Sequence, residues 1–171
     1  MIYTDNALNI LTAKSYKGIG NAWIVKWLGN NESVETIVAL LNKKIKGQPT
    51  TVEYFEQLKK KYETAILEKM NGYCDGFVAL GDDNFPRHRG NVKDSERPVF
   101  LYYKGNVELL NAANKNISVI GLLNPTDEIE MRERKLVAQF VKHGATIVSG
   151  LALGCDSISH REALNSNGKT V

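Results

Sequence analysis

The chain has 171 residues, 22 Lys+Arg against 19 Asp+Glu for a net charge of +3, and 43% hydrophobic residues, enough for one core plus a small second module. No apolar run approaches the ~20 residues that span a bilayer. The polar start Met1-Ile-Tyr-Thr-Asp-Asn6 has neither the basic region nor the apolar stretch of a secretory leader, so a cytoplasmic protein without a membrane partner is expected. Only Cys74 and Cys155 are present, far apart and without a Cys-x-x-Cys, which argues against a disulfide framework or a zinc site.

Residues 1–70 have a helical period: Leu8 and Leu11, then Ile24, Val25, Trp27 and Leu28, then Val34, Ile37, Val38 and Leu41, then Phe55, Leu58, Tyr62, Ile66 and Leu67. Breaks fall at Gly18–Gly20, Gly29–Ser33 and Gly47–Thr50. This segment holds 10 Lys/Arg against 7 Asp/Glu, whereas residues 71–171 hold 12 of each, so the basic excess lies here; Lys59-Lys60-Lys61 reads as a solvated helical face. Lys17-Gly18-Ile19-Gly20, between two helices, is similar to the turn of a helix-hairpin-helix module, whose amides contact a DNA phosphate. Lys17, Gly18 and Gly20 are therefore candidate DNA contacts, against the alternative of a helical domain kept for packing or partner contacts.

After Gly72 the period shortens to that of strands, at Phe77–Leu80, Val99–Tyr103, Ile117–Ile120, Ala145–Val148 and, beginning, Thr170-Val171. Arg87, Arg89, Lys93 and Arg97 make a basic loop after Phe85-Pro86, which either tracks a DNA backbone or is simply exposed. A helix is expected from Asp127 as cap, with Glu130 in the capping-box position, an apolar stripe of Ile129, Leu136, Val137, Phe140 and Val141, and Arg132, Glu133, Arg134 and Lys135 outside; Gly144 ends it. Strand, helix, strand, helix, strand calls for a parallel sheet with right-handed crossovers, whose ligands sit at the strand C-terminal ends, where Gly121 and Gly150 both fall and should face one cleft. Gly150 and Gly154 then lead to a helix expected over 157–165, capped by Asp156 or Ser157, an arrangement suited to a phosphate though also found without a ligand. Cys155 and His160 do not share a face as nucleophile and base, and Asp156 with His160 reads as a local hydrogen bond rather than a metal site.

Ser149-Gly150-Leu151-Ala152-x-Gly154-x-Asp156, His160, Ala163-Leu164 and Gly168-Lys169-Thr170 resemble the signature of the DNA-processing protein A (DprA/Smf) family. Gly81-Asp-Asp-Asn-Phe-Pro86, Arg97-Pro-Val-Phe-Leu-Tyr102-Tyr-Lys-Gly105-Asn106, Leu109-Leu110 and Ile117-Ser-Val-Ile-Gly121 follow in the family's order, so the resemblance covers roughly residues 73–171. It implies an α/β fold: an extended Rossmann-like parallel sheet over 73–171 behind a small all-helical domain over 1–70, of helix-hairpin-helix or SAM-like type. It further implies binding of single-stranded DNA in DNA processing, natural transformation and recombination, with delivery to a RecA-type recombinase and without catalysis, cofactor or metal.

One turn departs from the family. Where relatives carry Gly-Ser-Arg, this chain has Gly121-Leu122-Leu123-Asn124-Pro125-Thr126, so the charged phosphate clamp is replaced by neutral donors. The expected phosphate and DNA contacts are Gly121, Asn124, Thr126, Ser149, Gly150, Leu151, Ala152, Gly154, Asp156 and Lys169. The competing reading is a nucleotide-binding or nucleotide-hydrolysing Rossmann-like protein; the Pro-Gly-Gly-x-Gly-Thr loop expected of such hydrolases does not occur in the 171 residues. Because Gly168-Lys169-Thr170-Val171 stops where another central strand would begin, the sheet edge is expected to be covered by a second copy, as in a homodimer, or the chain to be part of a longer protein.

Overall fold

Hydroxyl side chains start three of the four N-terminal helices. Thr4 caps α1 (Asp5–Lys14), Ser33 caps α3 (Val34–Lys44) and Thr51 caps α4 (Val52–Met70), each accepting a backbone N–H three residues on. The short α2 (Asn21–Trp27) begins at Gly20 without a side-chain cap. The computed structural model describes residues 1–88 and 90–171, and divides into two compact units, Met1–Asn106 and Val107–Val171.

The first unit joins the four helices to an antiparallel pair, β1 (Gly76–Ala79) with β2 (Phe100–Tyr103), in the register Gly76 with Tyr103 and Ala79 with Phe100. Ile10, Ile24, Leu28, Ile37, Leu41 and Phe55 of the helices share one core with Phe77, Ala79 and Val99. A polar tie reinforces it: Asp82, in the Gly81–Pro86 motif, accepts from Thr4 Oγ1 (2.7 Å), Asn6 Nδ2 (2.9 Å) and the Ala79 amide (2.8 Å). The division expected at residues 70–73 falls inside the first unit, because Phe77 and Ala79 of β1, and Val99 just before β2, are buried in the core of the helices. Lys59 also departs from the solvated face expected of it, since it is buried and paired with Asp5 at 2.7 Å.

The second unit is the parallel part of the fold. After a 3₁₀ turn at Val107–Leu110, β3 (Lys115–Ser118), α5 (Asp127–Lys142), β4 (Ala145–Val148), α6 (Cys155–Asn165) and β5 (Lys169–Thr170) alternate, and the strands pair in the order β3-β4-β5, all parallel. Val137, Ile147 and Ala163 are buried between helices and sheet, with Val119, Phe140 and Val141 packed around them. Arg134 clamps α5 to α6 by donating to Glu130 (2.6 Å) and Glu162 (3.2 Å).

Three local expectations are corrected. The cap of α5 is Thr126, one residue before Asp127, and Glu130 turns to Arg134 instead of back to the cap. The apolar stripe is narrower than its pattern: Leu136 is 57% exposed, while Glu133, expected outside, is buried. Helix α6 begins two residues earlier than expected, with Gly154 at the cap position, so neither Asp156 nor Ser157 is the cap.

Candidate nucleic-acid interface

The C-terminal ends of β3 and β4 are bonded to each other. Val119 N–H donates to the Val148 carbonyl (2.9 Å), Ser149 Oγ donates to the Val119 carbonyl (2.6 Å), and Cys155 N–H donates to the Leu122 carbonyl (2.9 Å). Gly154 has φ +77°, and a Cβ there would collide with the Leu122 and Leu123 carbonyl oxygens. The turns after β3 and β4 thus sit side by side, as their places at adjacent parallel strand ends require.

The glycine turn is not an empty anion cradle. Asp156 is 8% exposed, and its Oδ2 accepts from the Gly150 (3.1 Å) and Ala152 (3.3 Å) amides. The carboxylate takes two of the donors that a phosphate would use and places a negative charge among them. Gly150 is needed because a Cβ would lie 2.9 Å from that oxygen. Asp156 is therefore the turn's internal anion, and it does not bond His160, which instead meets Thr170 at 2.6 Å.

The other expected contacts separate into those at the strand ends and those elsewhere. Gly121, Asn124, Thr126, Gly150, Leu151 and Ala152 are exposed around the paired turns, and Ser149 and Gly154 are half-buried beneath them. Thr126 Oγ1 accepts the Ile129 amide at 3.4 Å, which uses a lone pair and leaves the hydroxyl proton as a donor. Lys169 is not brought to this place: the parallel register sets it beside Thr146, near the start of β4. In the first unit, Gly18 (φ +87°) and Gly20 lie in the loop between α1 and α2 with exposed Lys17. Arg87 is exposed, Arg97 pairs with Asp94 at 3.2 Å, and Arg89 lies outside the described residues.

What surrounds the turns is apolar. Ile120 is 84% exposed, Leu151 75% and Leu153 78%, with Leu122 and Leu123 also more than half exposed. Sequence reasoning weighed Leu122 and Leu123 only as the loss of an arginine and passed over Ile120 and Leu153; apolar residues just past strand ends, where polar ones are usual, were the available signal. Leu151 holds φ +57°, an uncommon conformation for a leucine, and so presents its side chain outward from the turn.

Cys155 lies beneath these turns and is buried. Interaction with the Glu133 carboxylate, then burial, pushes its thiol pKa above the ordinary 9.0, so it stays protonated and a poor nucleophile at neutral pH. Among the described residues no group of three or more His, Cys, Asp or Glu is placed to hold a metal ion, and no helix is long and apolar enough to cross a membrane.

Parallel β-α-β-α-β order, with glycine turns joined at the strand C-terminal ends, defines a Rossmann-like protein of the class that receives ligands on those turns. The sequence model of DNA recombination-mediator protein A matches residues 76–171, and the chain belongs to that family. It is 29% identical over 161 residues to the protein Smf of Synechocystis sp., covering 93% of this chain and 37% of that protein. It is 34% identical over 155 residues to the DNA processing protein DprA of Streptococcus pneumoniae, covering 90% of this chain and 52% of that protein. The X-ray structure of DprA from Streptococcus pneumoniae superposes with a TM-score of 0.61 at 26% identity, over 99% of this chain and 57% of that one. The chain thus spans between about a third and about half of the length of these curated relatives.

Proposed function

We propose that this chain binds single-stranded DNA, without catalysing a reaction on it, at the joined turns after β3 and β4. The observation that carries the reading is the exposed set Ile120, Leu122, Leu123, Leu151 and Leu153 around backbone and Asn124 and Thr126 donors, in a chain of a DNA-processing family. Unpaired bases and sugars present apolar faces that a duplex hides, and apolar contact needs no arginine. With Asp156 already among the turn amides, phosphates contribute less here than bases and sugars. By the same reading the bound strand is passed on in DNA processing and recombination, with a RecA-type recombinase as recipient. A second copy covers the exposed edge of the three-stranded sheet.

The test is fluorescence anisotropy of a labelled oligothymidylate with the full chain and with Leu151→Asp and Leu153→Asp. Both leucines are exposed, so the fold should survive. Single strands should bind in preference to duplex, and each aspartate should weaken binding at least about tenfold, the worth of one base held against a side chain. Equal binding by both variants, or saturable binding of mononucleotides with none of oligonucleotides, would overturn the reading.

A further inference from the structure

We propose a second single-strand contact in the helical unit, formed by Trp23, Lys26 and Trp27 of α2 with Lys43 and Lys44 of α3. Trp23, Lys26 and Trp27 fall at helical spacings of three and four, and Leu40, Lys43 and Lys44 repeat that spacing on the last turn of α3, so each helix turns one face to a shared groove. The groove has a volume of about 620 Å³, with Gly18, Gly20 and Ala22 among its walls and no acidic residue lining it. Among the described residues none of its three lysines takes part in an ion pair, whereas Lys59 on α4 is paired and buried.

The aromatic component decides the ligand. Trp27 is 42% exposed and carries Lys26 Nζ over its ring, 4.9 Å from the centroid, so the cation covers one face of the indole and a base would stack against the rest of the exposed ring. Lys43 and Lys44 also suit the C-terminal end of α3 electrostatically, but that role needs neither an open groove nor an exposed indole. An acidic peptide would satisfy the lysines and leave the indole unused. A duplex would offer phosphates and keep its bases stacked. Only a strand with unpaired bases fits both components, a base on the indole and phosphodiesters on the ammonium groups. This contact is independent of the one proposed at the ends of β3 and β4.

The chain's two tryptophans both line this groove, so intrinsic tryptophan fluorescence reports on it alone. Oligothymidylate, which does not fluoresce, should change that emission saturably in the full chain, and should still do so in Leu151→Asp. Trp27→Ala should weaken the strand's affinity about tenfold, within the range for removing one base–indole stack. Lys43→Gln with Lys44→Gln, both exposed, should lower the slope of log affinity against log salt by about 1.4, near 0.7 for each phosphate no longer neutralised. The proposal is overturned if the chain binds a labelled strand with no change in tryptophan emission, if it binds none, or if polyglutamate changes the emission as strongly as oligothymidylate at the same salt.

Discussion

Asp156 Oδ2 lies 3.1 Å from the Gly150 amide and takes that donor for the turn itself. The residue that would repel an anion is thus also the one that shapes the turn. Removing its side chain in Asp156→Ala leaves two amides without their acceptor, a loss of about 1–3 kcal/mol that water should keep near the low end because Gly150 is exposed. Asp156→Asn keeps an acceptor and should lose less. Urea denaturation of both variants checks the order, and inorganic phosphate should raise the melting temperature of Asp156→Ala more than that of the parent. Gly150→Val meets the same oxygen and should destabilise by about 1–3 kcal/mol through overpacking.

Leu122 and Leu123 are more than half exposed, and it is their backbone carbonyls that neighbour Gly154, so replacing both by Ser-Arg removes little packing. The new guanidinium at the strand end should pair with a strand phosphate, trading the apolar contacts of the two leucines for a charge-assisted one. Salt titrations of anisotropy should then show log affinity falling more steeply with log salt, by about 0.7 for the one phosphate newly neutralised. A variant that folds and keeps both the parent's affinity and its salt slope would place the strand elsewhere.

Gly154→Ala should be harmful for two separate reasons. Its φ of +77° is unfavourable for alanine, and the added Cβ meets the Leu122 and Leu123 carbonyls. The loss should exceed about 1 kcal/mol, with both turns displaced together. Amide exchange at Cys155, whose N–H donates to Leu122, should quicken more than exchange at Ile147 in the sheet centre.

Cys155 gives a pH prediction. Its folded-state pKa is raised by Glu133 and by burial, so its contribution to stability is fully present below the ordinary thiol value of 9.0 and is lost as pH rises through the higher folded value. Unfolding free energy should therefore fall on the alkaline side of 9.0, and Cys155→Ala should flatten that fall. At neutral pH the native chain should react slowly with a thiol reagent and quickly once unfolded.

Much of the architecture was legible in local pattern. Short β-rich runs, the amphipathic stretch before Gly144 and the ordered family motifs depend on neighbours in sequence, and they placed β3, α5, β4 and α6 within a few residues. Glycines at the strand ends were legible for the same reason, since a strand followed by Gly and a helix marks a tight turn from spacing alone. What the turn holds was not. Whether Asp156 caps its helix or reaches back to Gly150 depends on a six-residue separation that closes only when β4 and α6 pack, and whether Glu133 is solvated or buried depends on where Cys155 stands across from α5. The boundary between units was equally a tertiary matter. Phe77 and Val99 have the composition of sheet residues, but nothing in their own segments says that their burial partners are helices that precede them by dozens of residues. Periodicity records which face of an element is apolar; only packing chooses the surface that covers it.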